Sequence, residues 1–482
     1  MKSYDPNRKF SRNELEADYQ LLQNILSTKH PALDWYTPRD QINYYFDSLR
    51  HEIADSMTEL QFGWNVLAPL TEKIHCGHTT FGMSKNWLTY VRKHRIPSFP
   101  YFVKVWGDTM LVTGSLLEKN GPINRGTHIT AINNKPVTEL TRAMFRYMPT
   151  DVYNTSMNYI RLSGNFPYFH RNIFGLYKNY RVHYIDSAGT EKSALVPMWM
   201  PPDADSISKL QKSKPEKKIP ASERRASYLE SNRSYRFDSS LQTGIITLNT
   251  FSNGEGRHLR HFIKNCFRQL EEDSARNLII DLRNNGGGDV LLYTLLARYI
   301  RISPFKVADS SYAVAHSVKP YTRYIQQGLF TNLGMWLLTR KRADGFYHFG
   351  YYERHWYKPK KTHHFNGKVY VLISGPTFSA STLFCHAVKG QENVILVGEE
   401  AGGGWHGNSG LMIPDITLPN TRLRVRLPIF KIVQYQHTPK SGQGVMPDLF
   451  VPPNSVSVLR NEDLKMNTVK ELIRKAASKQ AE

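Results

Sequence analysis

Along the first part of the chain the apolar residues recur at spacings of three and four. Over 12–28, Leu15, Tyr19, Leu22, Ile25 and Leu26 form one helical stripe, with Ser11 or Asn13 as the capping residue. The same rhythm predicts helices over 38–53 and 57–74, so 1–80 reads as a helical region. From Phe99 the pattern alternates instead. Two short runs, 102–106 and 109–113, flank Gly107-Asp108, a hairpin signal, and a third strand over 127–133 ends in the turn Asn133-Asn134. Residues 95–200 are therefore expected to form a β domain. Beyond 235 the strands become mostly apolar (244–248, 277–282, 369–373 and 394–397) and alternate with helices over 257–270, 289–300 and 379–389. Buried strands alternating with helices predict an α/β fold around a parallel sheet at 236–455. A polar helix over 461–477 falls within the tail, 456–482.

The chain has 482 residues, 40% hydrophobic and 22% charged, enough apolar material for a sizeable core. No uninterrupted apolar run approaches the roughly 18 residues of a membrane-spanning helix. Cys76, Cys266 and Cys385 are too few for a disulfide framework. A net charge of +22 raises nucleic acid or an acidic surface as a partner. The charge is clumped. Lys209, Lys212, Lys214, Lys217, Lys218, Arg224 and Arg225 crowd a stretch with Pro215 and Pro220, so 201–235 reads as a basic linker. A second cluster runs from Arg340-Lys341-Arg342 to Lys361, interleaved with Phe346, Tyr347, Phe349, Tyr351, Tyr352, Trp356 and Tyr357. Residues 337–361 are expected to be a long surface loop with its aromatics packed beneath. No helix-turn-helix, RNP or zinc-finger spacing accompanies it, so nucleic acid is not expected as a partner.

Chemistry is expected in the turns that follow the apolar strands, because ligands of open α/β sheets collect there. One such turn, Asp281-Leu282-Arg283-Asn284-Asn285, runs into Gly286-Gly287-Gly288. Consecutive glycines let a backbone turn its amides toward a ligand, but the GxGxxG and GK[ST] spacings of nucleotide sites are lacking. Another, Ser374-Gly375-Pro376-Thr377-Phe378, delivers Ser379 to the start of a helix, where the dipole and free amides favour developing negative charge. The plainer alternative is that Ser379 only caps the helix. His75, Cys76 and His78 stand in one short run, too few for a closed metal site, and no metal or cofactor is expected.

These segments, in this order, resemble those of the C-terminal (tail-specific) processing peptidases, a serine peptidase family that includes the tricorn protease core. Asp281–Gly288 resembles the DLRxNxGG segment, Pro376–Ser381 the nucleophile segment, Val397–Gly404 the VGExxxG segment and Gly442–Asp448 the GxGVxPD segment. Gly77-His78-Thr79 resembles the histidine motif that precedes the family's PDZ-like insert. The resemblance spans about residues 10–455. It implies a crotonase/Clp-protease-like spiral core, an N-terminal helical region and an inserted PDZ-like β domain able to capture a chain terminus by strand addition. It also implies Ser379 as nucleophile, with the amides of Gly287 and Ala380 as the oxyanion hole.

Many members use a lysine shortly after the VGE segment, but Gly404 stands there and no lysine lies between Lys389 and Lys431. The chain thus resembles the tricorn-like, histidine-using branch, with His78 as the general base and His406 as the alternative. His386, seven residues beyond Ser379 on the same helix, lies roughly 10 Å along the axis, too far for a direct hydrogen bond. An orienting partner for the histidine is expected from triad logic. Ser441 stands near the place of the branch's glutamate, and Glu399, Glu400 and Asp448 are the nearby carboxylates. The implied activity is hydrolysis of polypeptides through a serine acyl-enzyme. The alternative is a catalytically silent relative that binds a peptide or an apolar ligand. The resemblance implies a periplasmic or cell-envelope location, whereas the opening residues Met1–Pro6 lack the apolar core of a signal peptide and would fit the cytoplasm.

Overall fold

The computed structural model describes residues 4–94, 96–117, 123–186, 188–202, 220–254, 256–436 and 438–481. Its centre is a six-stranded sheet whose spatial order follows the chain: β1 (Arg233–Asp238), β2 (Thr243–Leu248), β3 (Asn277–Asp281), β4 (Lys368–Ile373), β5 (Val394–Gly398) and β6 (Leu449–Phe450). β1 runs antiparallel to β2, and every later neighbour is parallel. The apolar runs that predicted these strands are buried on both faces. Ile280, Val371 and Leu396 pack with helices α1 (Leu259–Glu272), α2 (Val290–Arg298) and α4 (Ala380–Val388), while Ile279, Leu372 and Val397 pack under Val469 and Ile473 of the tail helix Leu464–Ala481. The tail helix is thus part of the core rather than a polar appendage. At its start Asp463 receives Arg283 Nη1 at 2.5 Å, while Nη2 of the same guanidinium reaches Asp281 Oδ2 at 2.6 Å.

The N-terminal region is helical as expected. Ser11 caps the first helix, Arg12–Lys29, in a capping box with Glu14. The second helix is Arg39–His51, and the third segment is a helical run from Glu59 to Lys73 broken by a π turn at Gly63–Leu67. Met57 and Thr58, expected inside that helix, instead pair with Lys9 and Phe10 as a short two-stranded sheet. Between this region and the core lies an antiparallel sheet of Tyr101–Trp106, Thr109–Ser115, His128–Ile132, Asn179–Ile185 and Glu191–Pro197, in that order. The helices Val137–Phe145 and Ser156–Phe174 cover it, burying Phe99, Met110, Leu140, Leu162, Phe166 and Tyr180.

Two expectations about connecting segments need correction. Within the expected linker, Ala221–Asn232 is a helix and Arg233 already begins β1, which pairs with β2 along its whole length. Lys209, Lys212, Lys214, Lys217 and Lys218 lie outside the described residues. The 337–361 segment is not a plain loop. Arg340–Lys341 and Tyr347–His348 form a hairpin on a second, five-stranded antiparallel sheet with Ala308–Ala313, Phe430–Gln434 and Gly407–Gly410. Its aromatics do pack inward in part: Tyr352 and Tyr357 are buried against the core. The hairpin is pinned by His348, which takes Glu353 at 2.7 Å and Asp344 at 2.8 Å.

All three cysteines are free and buried, and burial pushes the thiols of Cys76 and Cys266 up to about 11 and 12. Ile280 lies at the centre of the parallel sheet, fully buried. Ile280→Ala is expected to cost about 2–5 kcal/mol, read as a fall in the urea midpoint.

Candidate active site

Ser379 stands where β4 hands over to α4. Its backbone has φ 56° and ψ −122°, a conformation that costs a non-glycine residue on the order of 1–3 kcal/mol and survives only where the surroundings impose it. The surroundings do so through three ties to the glycine turn after β3. Thr377 Oγ1 donates to the Leu282 carbonyl at 2.9 Å, Ser374 Oγ to the Arg283 carbonyl at 2.7 Å, and Phe378 N–H to the Asn285 carbonyl at 3.1 Å. The Ser379 side chain makes no capping hydrogen bond, so the plain capping reading fails. It is half-exposed between the buried Phe378 and Ala380.

The glycine turn presses directly on this serine. Gly287 has φ +95°, and a Cβ there would lie 2.7 Å from Ser379 Cβ and 2.8 Å from the Ala380 nitrogen. Gly288 has φ +141°, and a Cβ would fall 2.4 Å from the Phe251 carbonyl carbon. Of the two expected oxyanion donors, Ala380 opens α4, so its N–H precedes the intrahelical ladder. The Gly287 N–H is instead engaged, donating to Asn285 Oδ1 at 2.9 Å. Gly288 N–H makes no hydrogen bond among the described residues and lines the same cavity.

That cavity, about 500 Å³, brings His78 and Ser379 together with Gly287, Gly288, Phe378 and Arg426. His78 arrives from the end of the N-terminal helical region. Its ring packs on Phe378 with centroids 4.5 Å apart, and the approach requires Gly77, where a Cβ would meet the Phe378 ring at 2.8 Å. Burial, and then the Arg426 charge, push the imidazole down to about 3, so the ring is neutral at pH 7 and able to accept a proton. Among the described residues no hydrogen bond joins it to Ser379, and its Nδ1 is buried without a partner.

A carboxylate that no motif announced stands beside it. Asp151 Oδ1 accepts from the Gly77 N–H at 2.7 Å, and the Gly404 amide also serves this carboxylate, while Oδ2 is buried and unpartnered. Donor atoms of Cys76, His78 and Asp151 lie within 4.8 Å of one another, and Cys76 Sγ sits 2.8 Å from Ser409 Oγ. Burial pushes the Asp151 carboxyl up to about 7. Asp151 lies in the segment between the two helices of the β domain, more than seventy residues from His78 in sequence. Only the three-dimensional packing reveals it.

The other expected residues are engaged elsewhere. His406, the alternative base, is absent from the cavity lining, bonds through Nδ1 to the Thr438 carbonyl and packs on Trp35 at 5.7 Å. His386 packs on Trp405, with ring centroids 4.6 Å apart. Glu399 pairs with Lys465 at 2.7 Å, Glu400 accepts from the Gly444 N–H at 2.6 Å, and Asp448 holds Lys389 and the Leu396 amide. None of these three carboxylates lines the cavity.

Residues 242–451 match the model of peptidase family S41, which covers strands β2 to β6, the glycine turn and Ser379. Over the whole chain the fold is similar to that of mature CPAF, with a TM-score of 0.66 and 14% identity, covering 96% of this chain and 97% of that one. CPAF complexed with lactacystin gives 0.65 at 14% identity, covering 96% and 98%. No curated protein matches the chain in sequence. Residues 242–451 are thus assigned to peptidase family S41, a family of serine peptidases.

Gly287→Ala would drive a methyl group between the turn and Ser379. Hydrolysis is expected to fall by about 100-fold or more, measured as kcat/KM on an unfolded protein substrate. The circular dichroism spectrum should stay that of the parent.

Proposed function

We propose that the chain is a tail-specific endopeptidase of the histidine-using kind, with Ser379 as nucleophile, His78 as general base and Asp151 as the residue that positions His78. The observation that carries this is the strained Ser379 backbone facing a neutral, buried His78 across one cavity. No lysine lines that cavity among the described residues, which supports a base other than lysine.

In this reading Ser379 Oγ attacks the scissile carbonyl as His78 takes its proton. The tetrahedral oxyanion is met by the Ala380 N–H and by an amide of the glycine turn. Gly287 fills that second place if its N–H turns from Asn285 Oδ1, and Gly288 if it does not. His78 then passes the proton to the leaving amine, and water repeats the sequence on the acyl-enzyme. An ionised Asp151 fixes the imidazole tautomer and stabilises the imidazolium. The core sheet is read as a crotonase/Clp-protease-like spiral. The β domain is read as PDZ-like, its edge strand Glu191–Pro197 open to pairing with a substrate terminus, with Leu195 exposed upon it. The cell envelope is the proposed location.

A second reading, a silent relative that holds a peptide or an apolar ligand, draws on the missing hydrogen bond between Ser379 and His78. A fluorophosphonate probe separates the two. Labelling at Ser379, lost in Ser379→Ala and in His78→Ala, is the expected result; a folded protein that takes no label would be the silent relative. Lactacystin, which CPAF was solved with, serves as a second probe.

The pH profile tests Asp151. Its carboxyl is raised to about 7, so the positioning carboxylate is present above that pH and lost below it, while His78, lowered to about 3, stays neutral throughout. The kcat of peptide hydrolysis is therefore expected to rise with pH through about 7. Asp151→Asn should flatten this limb and lower kcat by about 100- to 10,000-fold with little change in KM. A mutant that keeps the wild-type profile would remove Asp151 from the mechanism.

A further inference from the structure

Helix α3 (Gly328–Leu338) inverts the usual amphipathic arrangement. Its inward positions are Gly328, Thr331 and Met335, all buried, whereas Leu329 and Phe330 are 76% and 73% exposed and Leu333, Trp336 and Leu337 are exposed with them. At about 100° per residue these five side chains share one face about 120° wide. The helix is held in place from behind. Asn332 accepts from the Val318 N–H at 2.7 Å, and Gly334 lies against Met412. A contiguous apolar face of this kind marks a surface that something covers.

The rim of the face is basic. Lys319 and Arg323 precede the helix and Arg340 and Lys341 follow it, all exposed. Arg340 Nη1 donates to the carbonyls of Trp336 at 3.2 Å and Thr339 at 2.8 Å, which places its charge at the helix C-terminus beside the apolar face. The acidic groups of the adjoining elements are already paired: Asp344 and Glu353 with His348, and Asp415 with Arg424. A cavity of about 490 Å³ opens at the same end, lined by Trp336, Leu337, Arg340 and Lys341. The surroundings thus offer an anion several cations and no competing free carboxylate among the described residues.

We infer that α3 docks the protein on an anionic lipid bilayer, with its five apolar side chains entering the headgroup boundary while Lys319, Arg323, Arg340 and Lys341 meet lipid phosphates. The charge pattern selects this occupant over a second copy of the chain, because two such faces would bring like-charged rims together on a chain of net charge +22. Docking is peripheral. No helix of the described residues is long and apolar enough to cross a membrane, and 11 residues reach only about 16 Å.

Vesicle flotation of the full chain tests this. Recovery with phosphatidylcholine–phosphatidylglycerol vesicles is expected to exceed that with phosphatidylcholine alone by about tenfold and to fall as salt rises. The double variant Phe330→Ser, Trp336→Ser should lose flotation with an unchanged melting temperature. Arg340→Glu with Lys341→Glu should weaken it and reduce its salt dependence. Failure of the folded parent to float with either vesicle would overturn the proposal. So would a parent dimer that the Phe330→Ser, Trp336→Ser variant turns into a monomer, since the face would then belong to a second copy. Neither result depends on whether Ser379 is reactive.

Discussion

The site depends on the lacing of two turns at the carboxyl end of the central sheet. β3 and β4 are hydrogen-bonded neighbours, so the turns that follow them emerge side by side. Thr377, Ser374 and the Phe378 amide then bond the second turn to the carbonyls of the first. With these bonds buried or partly buried, neither turn can relax without leaving polar groups unpaired, a cost of up to about 1–3 kcal/mol each. That is comparable to the strain held in the Ser379 backbone. The glycines complete the arrangement, because any side chain at Gly287 would occupy the space of Ser379 itself.

The second constraint is dielectric. His78 and Asp151 are both withdrawn from water, and burial moves their protonation equilibria in opposite directions, each toward its neutral form. A neutral imidazole is what base catalysis needs. A carboxyl raised to about 7 is a group whose charge can be switched on near physiological pH, with the orphaned Oδ2 and Nδ1 as the atoms available for a proton or a water between them.

Much of this was legible in the sequence, and the reason is local. Strands β2 to β5, the glycine turn and the Ser379 turn are contiguous segments whose apolar pattern and turn residues carry their own structural instructions. What stayed hidden depends on long-range packing. Asp151 sits in a polar stretch with no motif and reaches His78 only because the β domain folds back on the N-terminal region. The carboxylates nearest the motifs, Glu399, Glu400 and Asp448, were plausible by position but are consumed by Lys465, the Gly444 amide and Lys389. The linker assignment failed because Arg233–Asp238, half polar in composition, gains its strand character from pairing with β2 at the sheet edge. Periodicity also fails for α3, whose most apolar side faces outward, so its pattern would locate a core on the wrong side.

The three buried thiols have a practical meaning. A thiol with no access to solvent and a raised pKa reacts with alkylating agents only when the chain around it opens. Cys76 adjoins His78, Cys266 sits within α1 and Cys385 within α4, so their alkylation rates are three separate clocks. Each times the breathing of a different wall of the protein, and the first times the wall that holds His78.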